Sequence, residues 1–175
     1  VSPRHDESKV DVTEIYSGPR VAPQAPRYGL KPGSSIDLTT CDEYGRPWDL
    51  SLPVMQKHAR KRIQQERPTL LIGSIMCRDF CQMMRINWPR MPAHEKVRRL
   101  QQARAHLAFV CSLYLEQARN SRYFLHEQPQ QATSWEEPCV QRLVKVTKAE
   151  KLLIHMCQYG MTTITPDQRT LPVKK

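Results

Sequence analysis

The chain has 175 residues and a formal net charge of +10, long enough for one domain with a real core and basic enough to favour a polyanionic partner, most simply nucleic acid. No apolar run approaches the ~20 residues of a membrane span, and Val1 to Asp11 is polar and charged, with no signal-peptide pattern. The six cysteines, at positions 41, 77, 81, 111, 139 and 157, lack the density of a disulfide scaffold and read as reduced thiols of an intracellular protein. Without an initiator Met the chain reads as a processed or excised piece of something longer.

Residues 1–30 carry Pro3, Pro19, Pro23 and Pro26 among many charges, and read as a flexible basic arm. After a turn at Pro32-Gly33-Ser34-Ser35, Ile36-Asp37-Leu38-Thr39-Thr40 reads as a first strand. Asp37 within it needs a partner or a ligand. A loop with Asp42, Gly45 and Pro47 leads to Trp48-Asp49. Ser51 is placed to cap the next helix, with Pro53 in its first turn and Met55, Ala59 and Ile63 on one side. Arg67-Pro68 ends that helix. The central strand is Thr69-Leu70-Leu71-Ile72, which breaks at Gly73-Ser74 and presents Cys77 beyond its carboxyl end.

A Pro-broken loop follows, with Met83, Met84, Trp88 and Arg90, either a lid or a core plug. Residues 93–120 form a long helix with Val97, Leu100, Leu107, Val110, Cys111, Tyr114 and Ala118 as its apolar stripe. Arg122 to Pro129 reads as a strand whose polar end is His126-Glu127-Gln128. Ser134 and Glu137 make a capping box for a helix through Val140, Leu143 and Val144. Lys151 to Cys157 reads as a fourth strand, and residues 162–175 as a polar tail. This alternation predicts an α/β domain over residues 31–161, with a parallel, doubly wound sheet and helices on both faces. Three polar strand ends then meet on one edge: Asp37 to Thr40, Ser74 to Cys77, and His126 to Gln128.

In open α/β sheets ligands bind outside the carboxyl ends of strands. A thiol at that position suits nucleophilic chemistry, although a free cysteine also serves as a small buried hydrophobe. Cys77-x-x-x-Cys81 also has the look of half a zinc site, to be completed by His126 or Cys157. The chain offers no second paired-cysteine element, so no metal is assigned.

Gly73-Ser74-Ile75-Met76-Cys77-Arg78-Asp79-Phe80-Cys81 resembles the cysteine-nucleophile motif of DNA (cytosine-5) methyltransferases, Gly-x-Pro-Pro-Cys-x-x-Phe-Ser. His126-Glu127-Gln128-Pro129 looks like that family's Glu-Asn motif, and Tyr159-Gly160 its Tyr-Gly-Val-Pro-Gln-x-Arg segment. Ile36-Asp37-Leu38 resembles its first strand. Over residues 32–161 the order of these segments is most similar to short methyltransferase-like proteins of eukaryotic mobile elements. In this chain Ile75-Met76 stands for Pro-Pro, Gln128 for the Asn, and Thr39-Thr40 for the glycine-rich cofactor loop.

The resemblance implies a Rossmann-like class I methyltransferase fold acting on a flipped-out cytosine. Cys77 would attack ring carbon 6, and Glu127 would hold ring N3. S-Adenosylmethionine would supply the methyl group, with Asp37, Thr39, Asp49 and Ser74 as its contacts. Arg78, Arg85 and Arg90 would meet the phosphates of DNA, or of RNA as the alternative substrate. DNA as partner makes the nucleus the expected compartment. The competing expectations are a nucleic-acid-binding module that kept the fold and lost the chemistry, and a partner-binding protein using the Met83-Met84-Trp88 loop.

Overall fold

Four short strands, β1 (Val12–Ile15), β2 (Pro32–Ile36), β3 (Leu70–Gly73) and β4 (Tyr123–His126), pair in parallel in the order β2-β1-β3-β4. They belong to a computed structural model that describes residues 9–172, without the side chains of Arg85, Met156 and Pro172. The helices are α1 (Pro53–Glu66), the single turn α2 (Met84–Asn87), α3 (Ala93–Arg119) and α4 (Pro138–Thr147). A small antiparallel hairpin, β5 (Thr162–Ile164) with β6 (Thr170–Pro172), lies in the segment expected to be a polar tail. No helix among the described residues is long and apolar enough to cross a membrane.

The largest departure from expectation is at the amino-terminal end. Residues 1–8 lie outside the described residues, but Val12–Ile15 is an interior strand with all four residues buried, not part of an arm. Glu14 is the reason this strand looks polar in sequence. Its fully buried carboxylate accepts the backbone N–H groups of Arg20, Val21 and Ala22 at 3.2, 3.0 and 2.8 Å, and the hydroxyls of Ser17 and Ser35 at 3.2 and 3.1 Å. A buried carboxylate with so many donors is satisfied without a counter-ion. Pro23 and Pro26 of the supposed arm belong to a 3-10 segment, Ala22–Tyr28, within the connection from β1 to β2.

The register sorts side chains onto two faces. Ile15, Gly73 and His126 are in register, as are Thr13, Leu71 and Phe124. This face meets α3: Tyr114 stacks on Phe124 with centroids 4.8 Å apart, and a Cβ on Gly73 would lie 1.9 Å from the Tyr114 hydroxyl. Only glycine lets Tyr114 cross β3 so closely. Helix α1 covers the same face, since Arg60 donates to Glu116 (2.7 Å) and Ser112 (2.6 Å) on α3. Ile15, Ile36, Leu71, Ala59, Ile63, Leu107, Val110 and Tyr114 form the shared core.

On the opposite face, Ala22 and Ala25 of the 3-10 segment are buried, while Tyr123 and Leu125 of β4 are 70% and 45% exposed. Helices on both faces are therefore not what the described residues show: α1 and α3 share one face, and only a 3-10 segment lies on the other. Right-handed crossovers explain the division. The β1-to-β2 connection runs opposite to the next two and so falls on the other face, and its proline-rich sequence does not support an α-helix.

Other boundaries shift for local reasons. The predicted first strand, residues 36–40, shares only Ile36 with β2: the expected turn at Pro32 to Ser35 is strand, and Asp37 to Thr40 is a turn. Ser51 caps nothing, because its hydroxyl donates to Asp49; Leu52 precedes the helix. The Ser134–Glu137 capping box does not form; Ser134 is buried and donates to Gln128 while α4 starts at Pro138. The predicted strand at 151–157 is absent. Leu152, Leu153 and Ile154 are exposed, and strand propensity decides little where no burial supports it.

Candidate active site at the carboxyl edge of the sheet

The chain leaves β1 in one direction across the sheet to reach β2, then crosses back to β3 and on to β4. That reversal makes the carboxyl ends of β1 and β3 the switch point of the sheet, the usual ligand position in open α/β sheets. Four loops border it: Tyr16-Ser17-Gly18 after β1, Asp37 to Thr40 after β2, Ser74 to Cys77 after β3, and Glu127-Gln128 after β4.

Ser74 and Glu127 are brought together. The Ser74 hydroxyl donates to Glu127 Oε2 at 3.0 Å, the Glu127 N–H to Gly73 O at 2.9 Å, and the Ser74 N–H to Ile15 O at 3.2 Å. The ladder thus extends one residue past each strand and fixes where Glu127 starts. Asp37 and Thr39 form a second group, with Asp37 Oδ1 accepting the Thr39 N–H at 3.0 Å and its hydroxyl at 2.6 Å. Gly18 closes against it: a Cβ on Gly18 would sit 3.4 Å from Thr39 Oγ1. The loops after β1 and β2 therefore touch.

Cys77 is half-buried and opens a 3-10 turn, Arg78–Phe80, with the Phe80 N–H donating to Cys77 O at 2.9 Å. Its loop is held from below. Ile75 is buried, and its carbonyl accepts the side-chain amide of Gln128, whose own carbonyl accepts Ser134 Oγ at 3.2 Å. Thr133 Oγ1 donates to Phe80 O at 3.2 Å. Arg78 and Arg90 are exposed, whereas the side chain of Arg85 lies outside the described residues. Of the Pro-broken loop, Met84 is buried, Met83 is 74% exposed, and the Trp88 ring is flanked by Lys96 and Arg99.

Asp49 is placed apart from Asp37. Its Oδ1 accepts the Ser51 hydroxyl (2.6 Å) and N–H (3.0 Å), and these bonds hold its carboxyl below the usual range. Its charge reaches His106 of α3, whose Nδ1 pairs with the Tyr16 hydroxyl at 2.9 Å. Burial lowers the His106 pKa and Asp49 offsets part of that. Burial likewise pushes the Tyr16 phenol upward. Tyr16 has φ 57°, a left-handed conformation that a bulky residue adopts only when its surroundings impose it. Tyr16, Ser17 and Gly18 thus stand at the switch point, with His106 paired to Tyr16, none of them singled out in sequence. The Gly18-Pro19 turn was a signal for the loop; nothing local marks His106.

His126 does not join the edge. It points into the helical face, its Nδ1 3.3 Å from the Tyr114 hydroxyl, its Nε2 buried without a hydrogen-bond partner, and its pKa lowered by burial to about 4. Nor do Cys77, Cys81, His126 and Cys157 gather into a zinc site. Among the described residues the one group of three or more metal-capable side chains within reach of one another is Asp42, Glu43 and His58. There Arg46 already neutralises Asp42 at 2.7 Å, which makes the group an ion-pair cluster bracing the 41–47 loop on α1.

No family model, curated protein or solved structure matches this chain.

Proposed function

We propose that the chain is a Rossmann-like class I methyltransferase domain that methylates carbon 5 of cytosine in DNA, with Cys77 as nucleophile and Glu127 as its acid partner. The observation that carries this reading is the juxtaposition at the switch point. The loop bearing Cys77 and the carboxylate of Glu127 leave adjacent strands, and Ser74 ties the two together at 3.0 Å. A cytosine flipped from the helix stack is held between a thiol and a carboxyl in this arrangement.

The residues along the β1 and β2 loops fit S-adenosylmethionine, which when bound supplies an electrophilic methyl group. Asp37 Oδ2 takes no hydrogen bond among the described residues and suits the hydroxyls of a ribose. Thr39, Ser74 and the backbone at Ser17-Gly18 are further polar contacts. Asp49 fits less well, because Ser51 occupies its carboxylate.

The chain's own residues then divide the work. Cys77, as thiolate, adds to ring carbon 6. Glu127 keeps a proton or hydrogen bond at ring N3 as charge builds there, and Ser74 orients it. Gln128 holds the Ile75 carbonyl and so steadies the nucleophile loop, a task for which prolines at 75 and 76 would otherwise serve. After methylation, water takes the carbon 5 proton, the carbon 6–sulfur bond breaks with Cys77 leaving as thiolate, and the ring double bond is restored. Arg78 and Arg90, exposed beside the edge, meet phosphates.

The test is methyl transfer to cytosine-containing DNA, run beside equilibrium binding of S-adenosylmethionine. A second reading, a nucleic-acid-binding module without the chemistry, is favoured by Met76, 74% exposed where a rigid residue would help aim Cys77. Salt-sensitive DNA binding without cofactor binding would select it.

A further inference from the structure

A cleft of about 390 Å³ lies beside the Arg78–Phe80 turn, outside the residues to which the proposed chemistry gives a role. Its other walls are the Trp88 turn, the first half of α3 and the segment that leads into α4. Lys96, Leu100 and Arg104 line it at a spacing of four residues, and so from one face of α3. Its volume falls within the ~300–1,000 Å³ of small-molecule sites. Two ion pairs fix the walls: Asp79 with Arg99, and Arg104, whose Nε donates to both oxygens of Glu137 at 3.0 Å. Three features remain to meet a ligand. The Trp88 ring is a flat apolar wall, with Leu100 and Pro138 as further apolar lining. Lys96 Nζ, 5.6 Å from the centre of that ring, sets a positive charge beside it. Glu136 is exposed, and its carboxylate accepts no hydrogen bond among the described residues.

We infer that this cleft is a guanine-nucleotide subsite. Trp88 stacks on the base, Lys96 meets the phosphate, and Glu136 reads the edge of the base. An ionised carboxylate only accepts hydrogen bonds, through two oxygens side by side. Guanine answers with two adjacent donors, N1–H and the 2-amino group. Adenine and cytosine set a ring-nitrogen acceptor next to their amino group, and uracil sets a carbonyl on each side of N3–H. Each of these turns a lone pair toward a carboxylate oxygen. A free guanine nucleotide and a guanine residue of a strand present the same ring, edge and phosphate. Asp79 is two residues beyond Cys77, which puts the cleft next to the candidate active site. The inference stands on the cleft itself and does not require methyl transfer at Cys77.

The experiment titrates the full chain with the 5′-monophosphates of guanosine, adenosine, cytidine, uridine and inosine by isothermal titration calorimetry. All carry the same phosphate, so the net charge of +10 attracts them alike and the base decides. Guanosine monophosphate is expected to bind about tenfold tighter than the adenosine, cytidine and uridine compounds. Inosine monophosphate, which keeps N1–H and lacks the 2-amino group, is expected to lose most of that preference. Glu136→Gln changes an exposed side chain and is expected to bind all of them alike, while Trp88→Leu weakens guanosine monophosphate by about tenfold. An oligo-dT strand with and without one central dG then identifies the source. A gain from dG that Glu136→Gln removes marks a strand residue; guanosine monophosphate binding without that gain marks a free nucleotide. No binding of guanosine monophosphate, equal affinity for all the nucleotides, or a guanine preference that survives Glu136→Gln would overturn the inference. So would Trp88→Leu protein that binds guanosine monophosphate as tightly as wild type.

Discussion

Gln128 donates its amide to Ile75 O and accepts the hydroxyl of Ser134, so one side chain joins the nucleophile loop, the end of β4 and the approach to α4. Gln128→Leu keeps the bulk but leaves a buried carbonyl unpaired, which costs about 1–3 kcal/mol; urea unfolding measures the loss, and methyl transfer should fall with it. Gly73→Ala forces a methyl into the Tyr114 hydroxyl, an overpacking expected to cost about 1–3 kcal/mol by the same measurement. His126 sets an acid limit. Its folded pKa, lowered by burial to about 4 from 6.5, means that the unfolded chain binds the extra proton first as pH falls. Stability is thus full above pH 6.5 and declines between 6.5 and about 4, by a total on the order of 3 kcal/mol. His126→Phe should flatten that limb in melts taken across the same range; an unchanged slope would contradict the burial of the ring.

Helix α1 does more than cover the sheet. Its last residue, Glu66, accepts Thr13 Oγ1 at 2.7 Å, Ser34 N at 3.1 Å and Arg62 Nε at 2.7 Å, joining β1, β2 and α1. Burial pushes its pKa upward, but the hydrogen bonds from Ser34, Thr13 and Arg62 outweigh that and leave it below the ordinary value. This contribution is therefore present above pH 4.5 and lost as pH falls through the lowered value, starting within the acid end of the His126 limb. Glu66→Ala strands the buried Thr13 hydroxyl and is expected to cost about 3 kcal/mol in urea unfolding. Elements of this kind were unevenly legible in sequence. Met55, Ala59 and Ile63 repeat at helical spacing and are all buried, and β3 is a plain apolar run. Helix α3 was legible in its second half; Val97, counted in its stripe, is 53% exposed. Strand β1 was hidden because Glu14 and the following prolines have the composition of a linker, while the donors that satisfy Glu14 arrive only through folding. Of the candidate site, Cys77, Ser74 and Glu127 were read as polar groups at or just past the carboxyl ends of strands, and Asp37 as a charge inside a strand that in fact ends at Ile36. Tyr16 and His106 were not, because 90 residues separate the two partners.

At the scale of the molecule, one reversal of strand order gathers four loops on one edge, and the proposed function asks a chain of net charge +10 to meet a polyanion there. DNA affinity should fall linearly in log–log form with salt, with a slope of about −0.9 per phosphate contacted on duplex. Arg78→Ala and Arg90→Ala should each make that slope shallower by about one contact in fluorescence-anisotropy titrations. The most direct test of the account is transfer of labelled methyl from S-adenosylmethionine to single- and double-stranded cytosine-containing DNA, with Cys77→Ala in parallel. The account predicts transfer by the wild-type chain and none by Cys77→Ala, which still binds the cofactor. Equal transfer by both, or a wild-type chain that binds no S-adenosylmethionine, would contradict it.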